Sequence, residues 1–403
     1  MFTNLVKMGK KLKNLTKKYQ LNKEKIEKFI TVRKRLTFLG ERPSVVEKPV
    51  VVKFGGTSVR YAFEEALELV ANLNENTRTI VVVSALAGVT DCLLRLANGD
   101  MSALLEIEEI HEELSQELDV QLDHLMYQLH KTLNSKSSFP SKEAFVDEIA
   151  SFGERFSAEL FSEGLKILGI NAKAVDSKDI LFAKGDYGNA EVDFKKSVYG
   201  AGILYRMLRR GIVPVVTGYY GNLNGFRATF GRGGSDYSAT SIARLVNAKA
   251  TLIMSDVEGI YTADPKLVPS AKLIHYISYR EAKIAAKLGM KALHHRAIDP
   301  VEGRIPVILG KTRDLKFGTL ISHKSQGIPV VVHKLIEDHA EVSVVSTRRS
   351  FSLPYEVYEE GDFYFKIKIP KEQFLEVLKD IHRRVVENES LRPSYDSELW
   401  AWV

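Results

Sequence analysis

At 403 residues, 45% hydrophobic and 27% charged, the chain is long enough for two or three packed modules and too long for one small domain. It has no apolar run near the ~20 residues that span a bilayer. Its single cysteine, Cys92, excludes an intrachain disulfide and a cysteine metal cluster and fits a reducing, cytoplasmic setting. The net charge of +6 is unevenly spread: residues 1–36 hold twelve Lys/Arg against Glu24 and Glu27, a balance of +10, so the remainder sums to −4 and gives no support to a nucleic-acid-binding body.

In chain order, residues 1–39 place Leu12, Leu15 and Tyr19, then Ile26, Phe29 and Ile30, at helical spacing among lysines, predicting one or two amphipathic helices. Three readings stay open for them. An accessory helix packed on the body or on a neighbouring subunit is preferred over a surface for acidic membrane or RNA. A targeting segment is weakened by the lack of serine and arginine enrichment. A short linker at 40–49 follows, with Pro43. From Val50 onward, short β-rich runs alternate with helical stretches, which predicts an α/β sheet covered on both faces. Strands are expected at 50–54, 79–84, 171–175, 212–217, 250–254 and 305–309. Helices are expected at 61–75, 102–134, 142–168, 194–210, 236–247 and 278–289. His111, His124 and His130 in the 102–134 insert lack metal-ligand spacing and read as surface or packing residues. After Ser322 strands are expected at 330–333, 340–346, 355–358 and 363–369, then a helix at 371–387 and a closing strand at 399–403, a separate small α+β module.

Several segments carry chemistry. Val50-Val51-Val52 runs into Lys53-Phe54-Gly55-Gly56-Thr57-Ser58-Val59, a lysine at the end of a buried strand followed by glycines that let backbone N–H groups approach an anion. The helix after it opens on Thr57 and Ser58. A second strand leads to Ser84 and Thr90 among small residues, leaving room for a ligand. Glu154 and Arg155 lie in Gly153-Glu154-Arg155-Phe156-Ser157, where a surface ion pair is the plain alternative. A second glycine loop, Phe230-Gly231-Arg232-Gly233-Gly234-Ser235-Asp236, holds a guanidinium for a carboxylate and an aspartate for an ammonium, a pairing suited to an α-amino acid. Ser255-Asp256 and Tyr261 offer an acceptor for a ribose hydroxyl or nucleobase and a flat face.

With these segments on the page, the chain resembles the aspartate kinases of the amino-acid kinase superfamily. KFGGTSV, GERFSAEL, FGRGGSDYSAT, SDVEGIYTADP, GMKALH and GTLIS carry the likeness over roughly residues 50–322. The resemblance implies a three-layer αβα kinase domain at 48–325, a helical extension and linker at 1–47 and a shortened ACT-like domain at 326–403. It implies ATP with Mg2+ carried on its phosphates, L-aspartate as acceptor, and 4-phospho-L-aspartate as product, the first step toward lysine, threonine, methionine and diaminopimelate. By the same resemblance Lys53 and the amides of Gly55 and Gly56 hold the transferring phosphoryl group, with Asp236 also catalytic. Thr57, Ser58, Ser84, Thr90, Glu154, Arg232 and Ser235 surround aspartate. Lys53, Ser255, Asp256, Tyr261, Lys266 and Lys291 contact the nucleotide. An ACT-like remnant implies a homodimer. A carboxylate nucleophile, with a pKa near ~4, needs no general base.

Three departures from the family pattern stand out. Lys266 replaces a common arginine after the ADP tripeptide, and His295 replaces a common proline after LH; the resulting His294-His295 pair is not read as a metal site. The third is the C-terminal module, with room for one ACT-like unit and none for a first ACT helix at 347–354, so weak or absent feedback by lysine or threonine is expected. The rival readings are another carboxylate kinase of this fold (glutamate or acetylglutamate), a catalytically inactive regulatory paralogue, and a nucleic-acid binder driven by the basic arm.

Overall fold

The computed structural model describes residues 48–347 and 351–387. The helices expected at 1–39 and the strand expected at 399–403 lie outside the described residues. Strand β1 (Val50–Phe54) runs into α1 (Gly56–Tyr61) and α2 (Phe63–Asn76), followed by β2 (Thr79–Val83) and α3 (Val89–Ala97). A helical stretch follows: α4 (Ala103–Leu118), α5 (Asp123–Leu133), α6 (Lys142–Ala150) and α7 (Phe152–Ile167). Next come β3 (Ala172–Val175), a short pair β4 (Ala183–Lys184) and β5 (Glu191–Val192), α8 (Val198–Arg209) and β6 (Val213–Thr217). The hairpin β7 (Tyr220–Leu223) and β8 (Phe226–Thr229) leads to α9 (Gly234–Leu245) and β9 (Ala250–Ser255). Then β10 (Tyr276–Ser278), α10 (Tyr279–Leu288), β11 (Val307–Lys311) and β12 (Lys316–Ser322) complete the larger unit.

The main sheet has eight strands in the order β10-β12-β11-β9-β1-β2-β6-β3. From β11 to β3 all neighbours are parallel, and β12 returns antiparallel beside β11. All five residues of β1 are buried, as a central parallel strand requires. Alternate side chains of β1 enter two different cores. Val50, Val52 and Phe54 pack with Leu67 and Val70 of α2 and with Phe161 of α7, and the rings of Phe54 and Phe161 stack at 5.3 Å. Val51 packs on the opposite face with Ile242 and Ala243 of α9 and Leu204 of α8. Helices on both faces make the αβα sandwich, and Lys53, which shares the parity of Val51, emerges on the α9 face.

The C-terminal module is a four-stranded antiparallel sheet: β13 (Val330–Leu335), β14 (Ala340–Val345), β15 (Val357–Gly361) and β16 (Tyr364–Ile369), ordered β13-β14-β16-β15. Helix α11 (Phe374–His382) covers it, burying Val377, Leu378 and Ile381 against Val331, Val342 and Ile367. Among the described residues no helix separates these strands. The module is seated on the loop that follows β9. Ala263 and Val268 share its core, Val331 N donates to Thr262 O at 2.7 Å, and Thr262 Oγ1 meets the buried His382 Nε2 at 2.9 Å.

Several expected elements are corrected. The helix expected at 61–75 starts earlier, at Gly56, and breaks at Ala62. The 102–134 helix is two helices, because Asp119 takes a left-handed φ of 54° and ends α4. The 142–168 helix is broken at Ser151, whose hydroxyl donates to Glu148 O. Strand β11 lies two residues later than 305–309, and β12 and the β7–β8 hairpin were not anticipated. The hairpin has a local signal: Asn224-Gly225 with φ of 53° and 91°, the backbone a tight primed turn demands. His111 is a packing residue. Its Nδ1 meets Ile107 O at 2.6 Å, its ring lies 4.9 Å from Phe156, and burial pushes its pKa down to about 4. No helix among the described residues is long and apolar enough to cross a membrane.

Candidate active site

The carboxyl ends of β1, β2, β6 and β9 meet at one edge of the sheet, where the chain departs in both directions from β1. Open α/β sheets bind ligands in such a crevice. The loops there are laced backbone to backbone. Gly55 N donates to Met254 O at 2.9 Å, Ser84 N to Phe54 O at 3.1 Å, Ala87 N to Gly56 O at 3.1 Å, and Gly218 N to Val83 O at 2.9 Å. Two glycines are required by this closeness. A Cβ on Gly56 would lie 2.5 Å from Ala85 O, and one on Gly218 would lie 2.8 Å from Ser235 Cβ.

Within this edge stand three ionisable side chains from three elements. Lys53 Nζ, at the end of β1, lies 2.6 Å from Asp236 Oδ1 in the first turn of α9. The contact is an ion pair. Glu154 enters from the first turn of α7 and is 2% exposed. Its Oε1 accepts from Ala85 N at 3.0 Å, while its buried Oε2 has no partner. Burial pushes the Glu154 carboxyl up to about 8, against the opposing pull of the Ala85 amide and the Lys53 charge. The surface ion pair considered for Glu154 and Arg155 does not form. Arg155 turns away to Gln128 and lies over the Phe152 ring.

The Gly231–Gly234 loop enters α9 through two left-handed glycines, Gly231 (φ 73°) and Gly233 (φ 71°). It leaves Arg232 exposed, with no carboxylate in ion-pair range among the described residues, and Ser235 buried beside Gly218. Two residues not anticipated as site components brace the loop. His294 packs on it so closely that a Cβ on Gly233 would lie 2.3 Å from His294 Cβ. Arg296 donates to Phe230 O at 2.8 Å, Ala190 O at 2.7 Å and Asn189 Oδ1 at 2.6 Å. Tyr219 was also missed. It holds a φ of 77° just after β6, and burial and the nearby Glu154 push its phenol up to about 12.

The remaining expected positions divide. Ser84, on the loop after β2, and Thr57 and Thr90, in the first turns of α1 and α3, are half-buried. Ser58 is redirected: its hydroxyl is buried between Thr312 Oγ1 at 2.7 Å and Met254 O at 3.4 Å, so it fastens α1 to the β9 and β11 ends. The Gly55 amide is likewise used inside the fold, leaving the amides of Gly56, Thr57 and Ser58 as those that begin α1 without an intrahelical partner. On the other side of β1, Ser255 closes β9 and its Oγ accepts from Val257 N at 3.2 Å. Asp256 is exposed beside it, Tyr261 is half-buried and Lys266 is exposed. Lys311, at the end of β11 opposite Ser255, acts on Tyr261 and is a cation the motifs did not flag. Lys291 is exposed, and its charge opposes that of Asp264 at His333. The His294 and His295 rings lie 4.3 Å apart, and no group of three or more His, Cys, Asp or Glu among the described residues could hold a metal.

This arrangement has recognisable relatives. Residues 48–311 match the model of the amino acid kinase family. The chain is 34% identical over 302 residues to the lysine-sensitive aspartokinase 3 of Escherichia coli K12, covering 70% of this chain and 66% of that one. It is 32% identical over 335 residues to the aspartokinase of Rickettsia prowazekii, covering 81% and 65%. The chain thus spans about two thirds of the length of these curated relatives. Its fold matches the crystal structure of E. coli aspartokinase III in complex with aspartate and ADP, with a TM-score of 0.72 at 23% identity, over 84% of this chain and all of that one. The family model covers most of the chain, including the edge that carries Lys53, Glu154 and Asp236, and the chain belongs to the amino acid kinase family.

Proposed function

We propose that this chain transfers the γ-phosphoryl group of ATP to the β-carboxylate of L-aspartate, giving 4-phospho-L-aspartate. The observation that carries this is the 2.6 Å pairing of Lys53 with Asp236, which joins a phosphate-type turn to a loop built for a zwitterion. The similarity to curated aspartokinases supports the same acceptor. A β-carboxylate oxygen attacks the γ-phosphorus, the new O–P bond forms as the bond to ADP breaks, and no proton moves. What the site must supply is positioning and charge neutralisation between two anions.

Lys53 then turns from Asp236 toward the incoming phosphoryl oxygens, helped by the amides of Gly56 and Thr57. Arg232, with no carboxylate in ion-pair range among the described residues, takes a substrate carboxylate as a planar fork. Glu154 and the released Asp236 face the ammonium, with Ser84, Thr90 and Ser235 lining the pocket. Asp256, Tyr261, Lys266, Lys291 and Lys311 form the nucleotide side, with Ser255 shaping the turn. Mg2+ would arrive on the ATP phosphates and add neutralising charge, and no side chain is assigned to it. The test is hydroxylamine trapping of the acyl phosphate with aspartate, glutamate and acetylglutamate in parallel. Hydroxamate from aspartate alone supports the reading, and hydroxamate from either rival would move the chain to another carboxylate kinase.

The C-terminal sheet, with no helix between its described strands, suits subunit contact better than effector capture, and we assign it to a homodimer. Lysine or threonine titrated into the kinase assay should inhibit weakly or not at all. Strong inhibition at sub-millimolar concentration would show that the module is a working sensor.

A further inference from the structure

Glu154 is placed unusually for a residue meant to hold a cation. Its carboxyl is fully enclosed, its only hydrogen-bond donors among the described residues are the backbone N–H groups of Ala85 and of Glu154 itself, and Oε2 has no hydrogen-bond partner. The charged and titratable groups facing it are Lys53 from β1, with its ammonium already 2.6 Å from Asp236 of α9, and Tyr219 from the loop after β6, a neutral phenol. An ionised carboxylate with only neutral backbone donors and no cation of its own is a costly thing to enclose, whereas the protonated acid is not. A substrate ammonium arriving at the bare oxygen reverses that balance, because an adjacent opposite charge favours the ionised form.

We propose that Glu154 is protonated in the substrate-free enzyme and that the amino acid's ammonium expels this proton to solvent on binding. The inference rests on the reading that the site takes an α-amino acid. The balance is simple: the Glu154 O–H bond gives its proton to water, the substrate ammonium keeps its own three protons, and no covalent bond to substrate forms. Burial places the carboxyl near pH 8 in the empty site. Aspartate affinity therefore rises about tenfold per pH unit from pH 6 and levels off near pH 8. A dicarboxylate lacking the ammonium, such as succinate, leaves Glu154 protonated.

The experiment is calorimetric titration of aspartate into the full chain at pH 7 in two buffers of different protonation enthalpy. Release of close to one proton per site is expected with aspartate and none with succinate. Infrared difference spectra supply a second readout that does not need a variant to bind: the carbonyl stretch of a protonated carboxyl should vanish on adding aspartate and persist with succinate. In Glu154→Gln that band is absent before substrate is added. Aspartate binding with no proton release and no loss of the band overturns this inference and leaves the functional reading standing. Failure of aspartate to bind at all overturns both.

Discussion

Replacing Lys53 by methionine should lower turnover by at least ~100-fold, or roughly 2.7 kcal/mol of transition-state stabilisation, with the fold intact. The buried stem of Lys53 lies in the sheet with the parity of Val51, and methionine fills a similar volume there. What is lost is the ammonium, which pairs with Asp236 in the empty site and is proposed to face the phosphoryl group in the loaded one. Asp236 is left without its partner, so some loss of melting temperature accompanies the change, while circular dichroism stays that of the parent. Steady-state turnover with saturating ATP and aspartate is the check. A Lys53→Met enzyme that turns over at a near-parental rate would remove Lys53 from the chemistry and with it the role assigned to the Gly55-Gly56 turn.

Gly56→Ala should be comparably damaging for a different reason. The added methyl would stand 2.5 Å from Ala85 O and 3.2 Å from Ala87 N, both backbone atoms that cannot swing aside. Relief requires the loops after β1 and β2 to part, which separates the amides proposed to hold the phosphoryl group from the proposed pocket beside Ser84 and Thr90. A displacement of about 1 Å in such a site costs on the order of 100-fold. The control is Gly202→Ala inside α8, where a methyl meets nothing within 4 Å. That change should leave kcat and KM unaltered and stabilise the helix by up to ~1 kcal/mol. Parental kinetics in Gly56→Ala would mean that the two loops do not form one site.

The parts of this site that follow local rules were legible in the sequence. The buried run Val50–Val52, the glycines after it and the Arg232/Asp236 loop announce themselves through composition and spacing. The pairing of Lys53 with Asp236 did not, because it depends on β1 lying under α9, and strand order across the sheet is a product of packing. The bonds of the Ser58 hydroxyl were hidden for the same reason: they could be placed only once β9 and β11 were known to flank β1. Glu154 was named from its motif, yet its burial without a cation is a tertiary fact. Tyr219 and Arg296 act through backbone strain or contacts with distant loops and carry no motif of their own, while His294 closes the GMKALH motif but its packing on Gly233 is a tertiary fact. The Asn224-Gly225 hairpin is different, since its turn signal was present and was passed over.

The measurement that bears most directly on the central claim follows one oxygen atom. Aspartate labelled with 18O in its β-carboxylate is incubated with the chain and Mg-ATP, and the product is read by 31P NMR. If a β-carboxylate oxygen attacks the γ-phosphorus, the acyl phosphate resonance appears with the isotope shift of a phosphorus bonded to 18O. An acyl phosphate without that shift, or inorganic phosphate as the sole product, would contradict the proposed transfer.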